Sequence, residues 1–208
     1  NFGEIRRITK EISLLLKEEQ EKPDLKDLPI YGNKEFDSAI DNDTIYHQIP
    51  EWSFENQNSK TITSEKLNGK VKLVDFFFTS CPTICPQMTI NMRKIQSAIR
   101  KNCLSDIELL SFTVDPLKDT SEKLLEYANS YNIDSTNWNI LTGDQSNIYD
   151  LGVNGFLVPN QEDALAPGGF LHSEKLILID QFNRIRGYYD GTDSLNISII
   201  VQHIQSLI

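Results

Sequence analysis

The sequence predicts an α/β fold, a central mixed sheet flanked by helices, with an N-terminal hairpin and a long glycine-rich loop. Three observations carry this prediction. Residues 71–79 (VKLVDFFFT) and 107–113 (IELLSFT) are nearly continuous apolar runs rich in β-branched and aromatic residues, the pattern of strands covered on both faces. A stretch of helical period follows each of them. Late in the chain, two more strand-like segments around a short polar turn precede a terminal amphipathic segment, so a parallel core is extended by an antiparallel hairpin.

The elements follow in order. Residues 1–22 place Ile5, Ile8, Ile12, Leu15 and Leu16 at helical spacing between charges of both signs. This is an amphipathic helix suited to packing on the domain or on a copy of itself rather than on a membrane surface. Residues 23–48, with Pro23, Pro29 and Gly32, read as an irregular polar lead-in. The domain begins between residues 43 and 49, with short strands at 52–55 and 61–63 around a polar turn. Within the strand 71–79, Asp75 interrupts the apolar run and needs a partner if buried.

Residues 86–102 form a helix whose apolar stripe is Met88, Ile90, Met92, Ile95 and Ile99; the two methionines are read as core rather than as soft ligands. After the strand 107–113, Asp115 before Pro116 starts a turn. Asp119 followed by Glu122 marks the start of a helix over 121–131. A strand at 138–141 and a short helix at 145–151 come next. Residues 152–171 (GVNGFLVPNQEDALAPGGFL) read as a long loop, of the kind that is often functional. Strands at 174–180 and 184–190, turned at 181–183, and a helix from 194 to 207 complete the chain.

At 208 residues the chain has room for one sizeable domain with extensions. Its 30 acidic and 20 basic residues give a net charge of −10. That field excludes nucleic acid as a partner and favours a cation or a basic or weakly charged surface. No run approaches the ~20 apolar residues that cross a bilayer, and no signal-peptide core is visible. Because the chain opens on Asn1, a signal or anchor is expected ahead of it.

Three cysteines are too few for a disulfide framework. Cys103, after the helix 86–102, reads as a partly buried small hydrophobe. The other two stand in FFFTSCPTICPQM, residues 76–88, where the most apolar run ends. Cys-x-x-Cys at a strand-to-helix junction is a redox pattern; here Cys81 and Cys85 are one residue further apart. With Cys85 in the first helical turn and Cys81 in the loop before it, both sulfurs face one cleft, and the helix N-terminus favours thiolates. Two packed cysteines, a redox couple and half of a metal site all remain open on spacing alone.

His172, at the end of the glycine loop and just before a strand, adds an imidazole. Two thiolates and one imidazole form a soft three-ligand set that suits copper better than structural zinc, which takes four ligands. A single loop histidine is more often structural than a ligand, and His47 and His203 keep that reading.

VDFFFTSCPTICPQMTINM, SFTVDPLKDTSEKLLEYA and LHSEKLILIDQFNRIRGYYDGT together resemble the Sco/SenC family over residues 43–208. The resemblance implies a thioredoxin-like fold and a copper chaperone that delivers Cu(I) or Cu(II) to the dinuclear copper site of cytochrome c oxidase. It implies Cys81, Cys85 and His172 as the copper ligands, and a domain 43–208 exported to the periplasm or an equivalent compartment. It also implies a membrane tether ahead of residues 1–42, and a copper-accepting oxidase subunit or another copper protein as partner. Asp115 matches a family position near the site. One departure is Leu171, where many members carry aspartate beside the histidine; such acceptors orient metal-bound imidazoles.

The rival reading is a thiol–disulfide oxidoreductase that uses Cys81 and Cys85 to reduce a partner's cysteines. A peroxiredoxin requires threonine three residues before its reactive cysteine. Phe78 and Pro82 occupy those positions, so that reading fails. A structural disulfide leaves the histidine loop unexplained.

Overall fold

The computed structural model describes residues 28–37, 43–162 and 170–208; the expected helix over 1–22 lies outside them. The strands in chain order are β1 (Lys34–Asp37), β2 (Asp43–Tyr46), β3 (Ser53–Asn56), β4 (Thr61–Thr63), β5 (Val71–Phe77), β6 (Ile107–Thr113), β7 (Trp138–Thr142), β8 (Asn160–Glu162), β9 (Phe170–His172), β10 (Lys175–Ile179) and β11 (Ile185–Asp190). The helices are α1 (Cys85–Lys101), α2 (Ser121–Ser130), α3 (Gln145–Asp150) and α4 (Asn196–Leu207).

Seven strands form one mixed sheet in the order β11-β10-β5-β6-β7-β3-β4. β5, β6 and β7 are parallel, linked by crossovers through α1 and α2, and the antiparallel hairpins β10–β11 and β3–β4 extend the two sides. Every residue of β5 and β6 is buried, which is why both read as nearly continuous apolar runs. Alternation sends Phe76 and Phe112 to one face, where they pack with Phe156 and with each other. Phe77 points to the opposite face and meets Tyr127 of α2.

α1 buries Met88, Met92, Ile95 and Ile99, as the methionine reading required. Ile90, expected in that stripe, is instead exposed. Its neighbours recur at intervals of four, three and four residues, and Ile90 falls two positions from each of its nearest, on the far side of the helix.

α1 ends in a left-handed residue, Cys103 (φ 54°), with Cys103 N donating to Arg100 O and Leu104 N to Ile99 O. This closure turns the Cys103 side chain outward, so the cysteine expected to be half-buried is exposed. Asn132 closes α2 in the same way, with Ile133 N donating to Ala128 O.

Three further expectations change. The lead-in holds a hairpin, β1–β2, and its Leu28 and Pro29 carbonyls accept from Arg186. The loop 152–171 contains a π-turn over Leu151–Gly155 and the paired strands β8 and β9. Both hairpins are built from segments of three or four residues, too short for an alternating pattern to show. The N-cap of α2 is Thr120, whose Oγ1 accepts from Lys123 N, so Asp119 is not the helix start. Asp115 does make the expected turn, its carbonyl accepting from Lys118 N and Asp119 N.

Candidate metal centre

β5 runs buried to Phe77, and the chain then leaves the sheet through Phe78–Ile84. Cys81 N donates to Phe78 O (3.2 Å), which curls the loop back so that the Cys81 side chain faces inward. Pro86 lies at the second position of α1, where a missing N–H costs nothing, and this fixes the helix start at Cys85. Both cysteines are therefore buried, one in the loop and one in the first turn of α1, and no disulfide joins them in this structure.

Burial pushes the Cys85 thiol well above its ordinary range; a backbone hydrogen bond from Phe78 opposes this, and the nearby Cys81 and Asp75 raise it further. The two sulfurs and the Asp75 carboxyl thus share one desolvated space. The thiolate-favouring effect expected of the helix N-terminus is outweighed by desolvation, so Cys85 is a protonated thiol until a metal or a disulfide replaces its proton. Cys81 is the outer of the two, 6% exposed against 1% for Cys85; its Sγ lies 3.7 Å from Thr83 Oγ1 and is also hydrogen-bonded with Cys85.

Three groups that the sequence did not mark as part of the site build its floor. Asp119, 1% exposed, accepts from Thr79 N (3.0 Å), Thr79 Oγ1 (2.5 Å) and Thr113 Oγ1 (2.5 Å). It clamps the exits of β5 and β6 together where the cysteine loop begins. Tyr127, half-buried, exchanges a 2.6 Å hydrogen bond with Thr89 on the next turn of α1 after Cys85. Asp75, which in the sequence only interrupts an apolar run, lies beside both Cys85 and Tyr127.

His172 ends β9, its backbone paired with Asn160, and Leu171 pairs with Gln161. β10 begins three residues later and runs antiparallel to β5, with Ile177 opposite Val74 and Ile179 opposite Lys72. Extending that register sets residues 173 and 174 beside Phe78 and Phe77. The chain leaving His172 therefore arrives at the sheet end where the cysteine loop starts. Among the described residues no group of three histidine, cysteine or acidic side chains gathers, and the His172 side chain lies outside that description.

The other histidines are accounted for. His47 Nε2 bonds Gly155 O (2.7 Å), tying the lead-in to the π-turn. His203 Nδ1 bonds Tyr189 OH (2.7 Å), tying α4 to β11.

The SCO1/SenC family model matches residues 41–208. The chain belongs to the SCO1/SenC family. A SCO1 protein homolog of Bacillus subtilis is 30% identical over 169 residues, covering 79% of this chain and 84% of the homolog. The crystal structure of a SCO1/SenC family lipoprotein from Bacillus anthracis superposes with a TM-score of 0.72 at 31% identity, covering 77% and 95% of the two chains. BsSco, described as a Sco family cytochrome c oxidase assembly protein with a disulfide switch, superposes at 0.69 and 30% identity, covering 77% and 93%. The fold is thioredoxin-like, as the resemblance implied. ScoI of Bradyrhizobium japonicum, solved with copper bound, shares this fold at a TM-score of 0.64 and 20% identity, covering 76% and 98%.

Proposed function

We propose that this SCO1/SenC protein binds copper through Cys81, Cys85 and His172 and delivers it to the dinuclear copper site of cytochrome c oxidase. The observation that carries the reading is the pair of adjacent, buried cysteines, not joined by a disulfide, at the exit of β5, at the sheet end where the strand after His172 begins. Two sulfurs and an imidazole are a soft set that suits copper. Binding displaces thiol protons, and the burial that keeps Cys85 protonated keeps it unreactive until metal arrives. Cargo then leaves by ligand exchange, the outer Cys81 first, since its loop is exposed on both sides. The working unit is residues 43–208, exported and tethered to a membrane ahead of residues 1–42; the likeness to a lipoprotein supports this.

A second reading has its own support. Free thiols four residues apart at a helix start also suit thiol–disulfide exchange with a partner's cysteines, and a disulfide switch is attributed to BsSco. His172→Ala separates the two activities. The variant is expected to lose tight copper binding while reducing a disulfide substrate at the parent rate. Copper affinity unchanged by His172→Ala would remove the histidine from the site.

A further inference from the structure

α1 differs in charge from the rest of the chain. It carries Arg93, Lys94, Arg100 and Lys101, four of the chain's 20 cations, and none of its 30 acids. Burial of the methionine–isoleucine stripe leaves Gln87, Ile90, Lys94, Ser97 and Lys101 exposed at spacings of three and four, one continuous outer face. Arg100 pairs with Asp134, and Arg93 donates to the Asn132 carbonyl. Among the described residues Lys94 and Lys101 make no ion pair. A cleft of about 220 Å³ opens between this face and the end of α2, lined by Ile90, Arg93, Lys94, Ser97 and Tyr131.

We propose that this cleft docks an acidic segment of a protein partner, and so holds the partner over the cysteine loop. A carboxylate entering it meets the Arg93 and Lys94 cations and the Tyr131 phenol, its natural donors, while the Ser97 hydroxyl is already donated to the Arg93 carbonyl. Ile90 and Tyr131 supply an apolar wall for the aliphatic part of the same segment. On a chain of net charge −10, a local cluster of cations selects the partner patch that the rest of the surface repels.

The location fits transfer. Along the helix axis, Ile90 and Lys94 lie ~8 and ~14 Å past Cys85 but on the outer face of α1, so a partner seated there reaches the cysteine loop over the N-terminal end of the helix, within a footprint of ~800 Å². An anionic bilayer suits the surface less: the cleft is concave, it carries one exposed aliphatic side chain, and the surrounding field is repulsive. That the bound partner is the copper acceptor rests on the proposed function; that the cleft takes an acidic segment does not.

The test uses the full reduced chain and a short dye-labelled peptide of alternating glutamate and leucine, read by fluorescence anisotropy. The peptide is expected to bind at ~10 mM salt and to be released toward ~1 M, as the Debye length falls from ~30 to ~3 Å. Lys94→Glu with Lys101→Glu should weaken binding about tenfold or more. Lys60→Glu with Lys66→Glu, an equal charge change near β4, should leave binding within about twofold. Failure of the parent to bind the peptide, or an equal loss in both double variants, overturns the inference. So does phosphatidylglycerol-vesicle binding that the α1 variant loses while peptide binding persists. Copper stoichiometry is measured on the same samples. Peptide binding by a chain that takes up no copper sinks the transfer reading alone, and copper uptake without peptide binding sinks the docking inference alone.

Discussion

Asp119 shows how one side chain holds the site without belonging to its donor set. Its carboxylate accepts three hydrogen bonds from Thr79 and Thr113 in a space closed to water, and hydrogen bonds to a charged acceptor are worth ~1.5–3 kcal/mol each. Asp119→Asn keeps the volume but puts an amide where three donors converge. We expect thermal stability to fall by about 2 kcal/mol and the Cys81 and Cys85 thiols to react faster with a disulfide reagent as the loop loosens. Stability lost with thiol reactivity unchanged would make Asp119 a fold residue only. Cys103 gives an independent case: its left-handed backbone (φ 54°) favours glycine, so Cys103→Gly should stabilise by about 0.5–1 kcal/mol in denaturant unfolding, with the two buried thiols still titrating. The sequence revealed the cysteines because their spacing sits at a strand exit. It hid Asp119 because an acid next to a helix start has a ready local explanation, and only the meeting of two strand ends gives it another.

Among the elements, the β10–β11 hairpin shows a conflict that pH resolves. Asp180, fully buried, accepts from Phe182 N, Arg184 N and the Arg184 and Arg186 guanidiniums. On the neighbouring strand, Lys72 donates to Asn183 Oδ1 (2.6 Å). Desolvation lowers the Lys72 pKa from 10.5 to about 8, against the attraction of Asp180. The folded state therefore holds fewer protons than the unfolded chain between pH 8 and 10.5, so stability contributed by this group rises with pH across that window. Below pH 8 the cost of the buried charge is present in full, at most about 3 kcal/mol. Lys72→Met should flatten the rise when unfolding is followed from pH 7 to 10.5; an undiminished rise would assign the effect to another group. β5, β6 and the β10–β11 hairpin were legible because length and apolar content agree. β1, β2, β8 and β9 were not, because segments of three or four residues are too short for an alternating pattern to show.

Taken whole, the molecule separates its tasks. Stability comes from a sheet sealed on one face by Trp52, Phe54, Phe76, Phe112 and Phe156, and on the other by α1, α2 and α4. The proposed chemistry is placed at the end of β5, where the buried thiols sit on a floor of Asp75, Asp119 and Tyr127. Family membership follows from residues 41–208 as a unit, whereas the proposed ligand set joins Cys81 and Cys85 to His172, which lies far from them in the sequence. The most direct measurement is a copper titration of the reduced protein, with bound metal counted and absorption followed through the visible range. One tightly held copper per chain, with an intense sulfur-to-Cu(II) charge-transfer band that Cys81→Ser and Cys85→Ser each abolish, is the predicted result. Absence of stoichiometric binding by a fully reduced chain would contradict the account and leave the cysteine pair as a carrier of electrons.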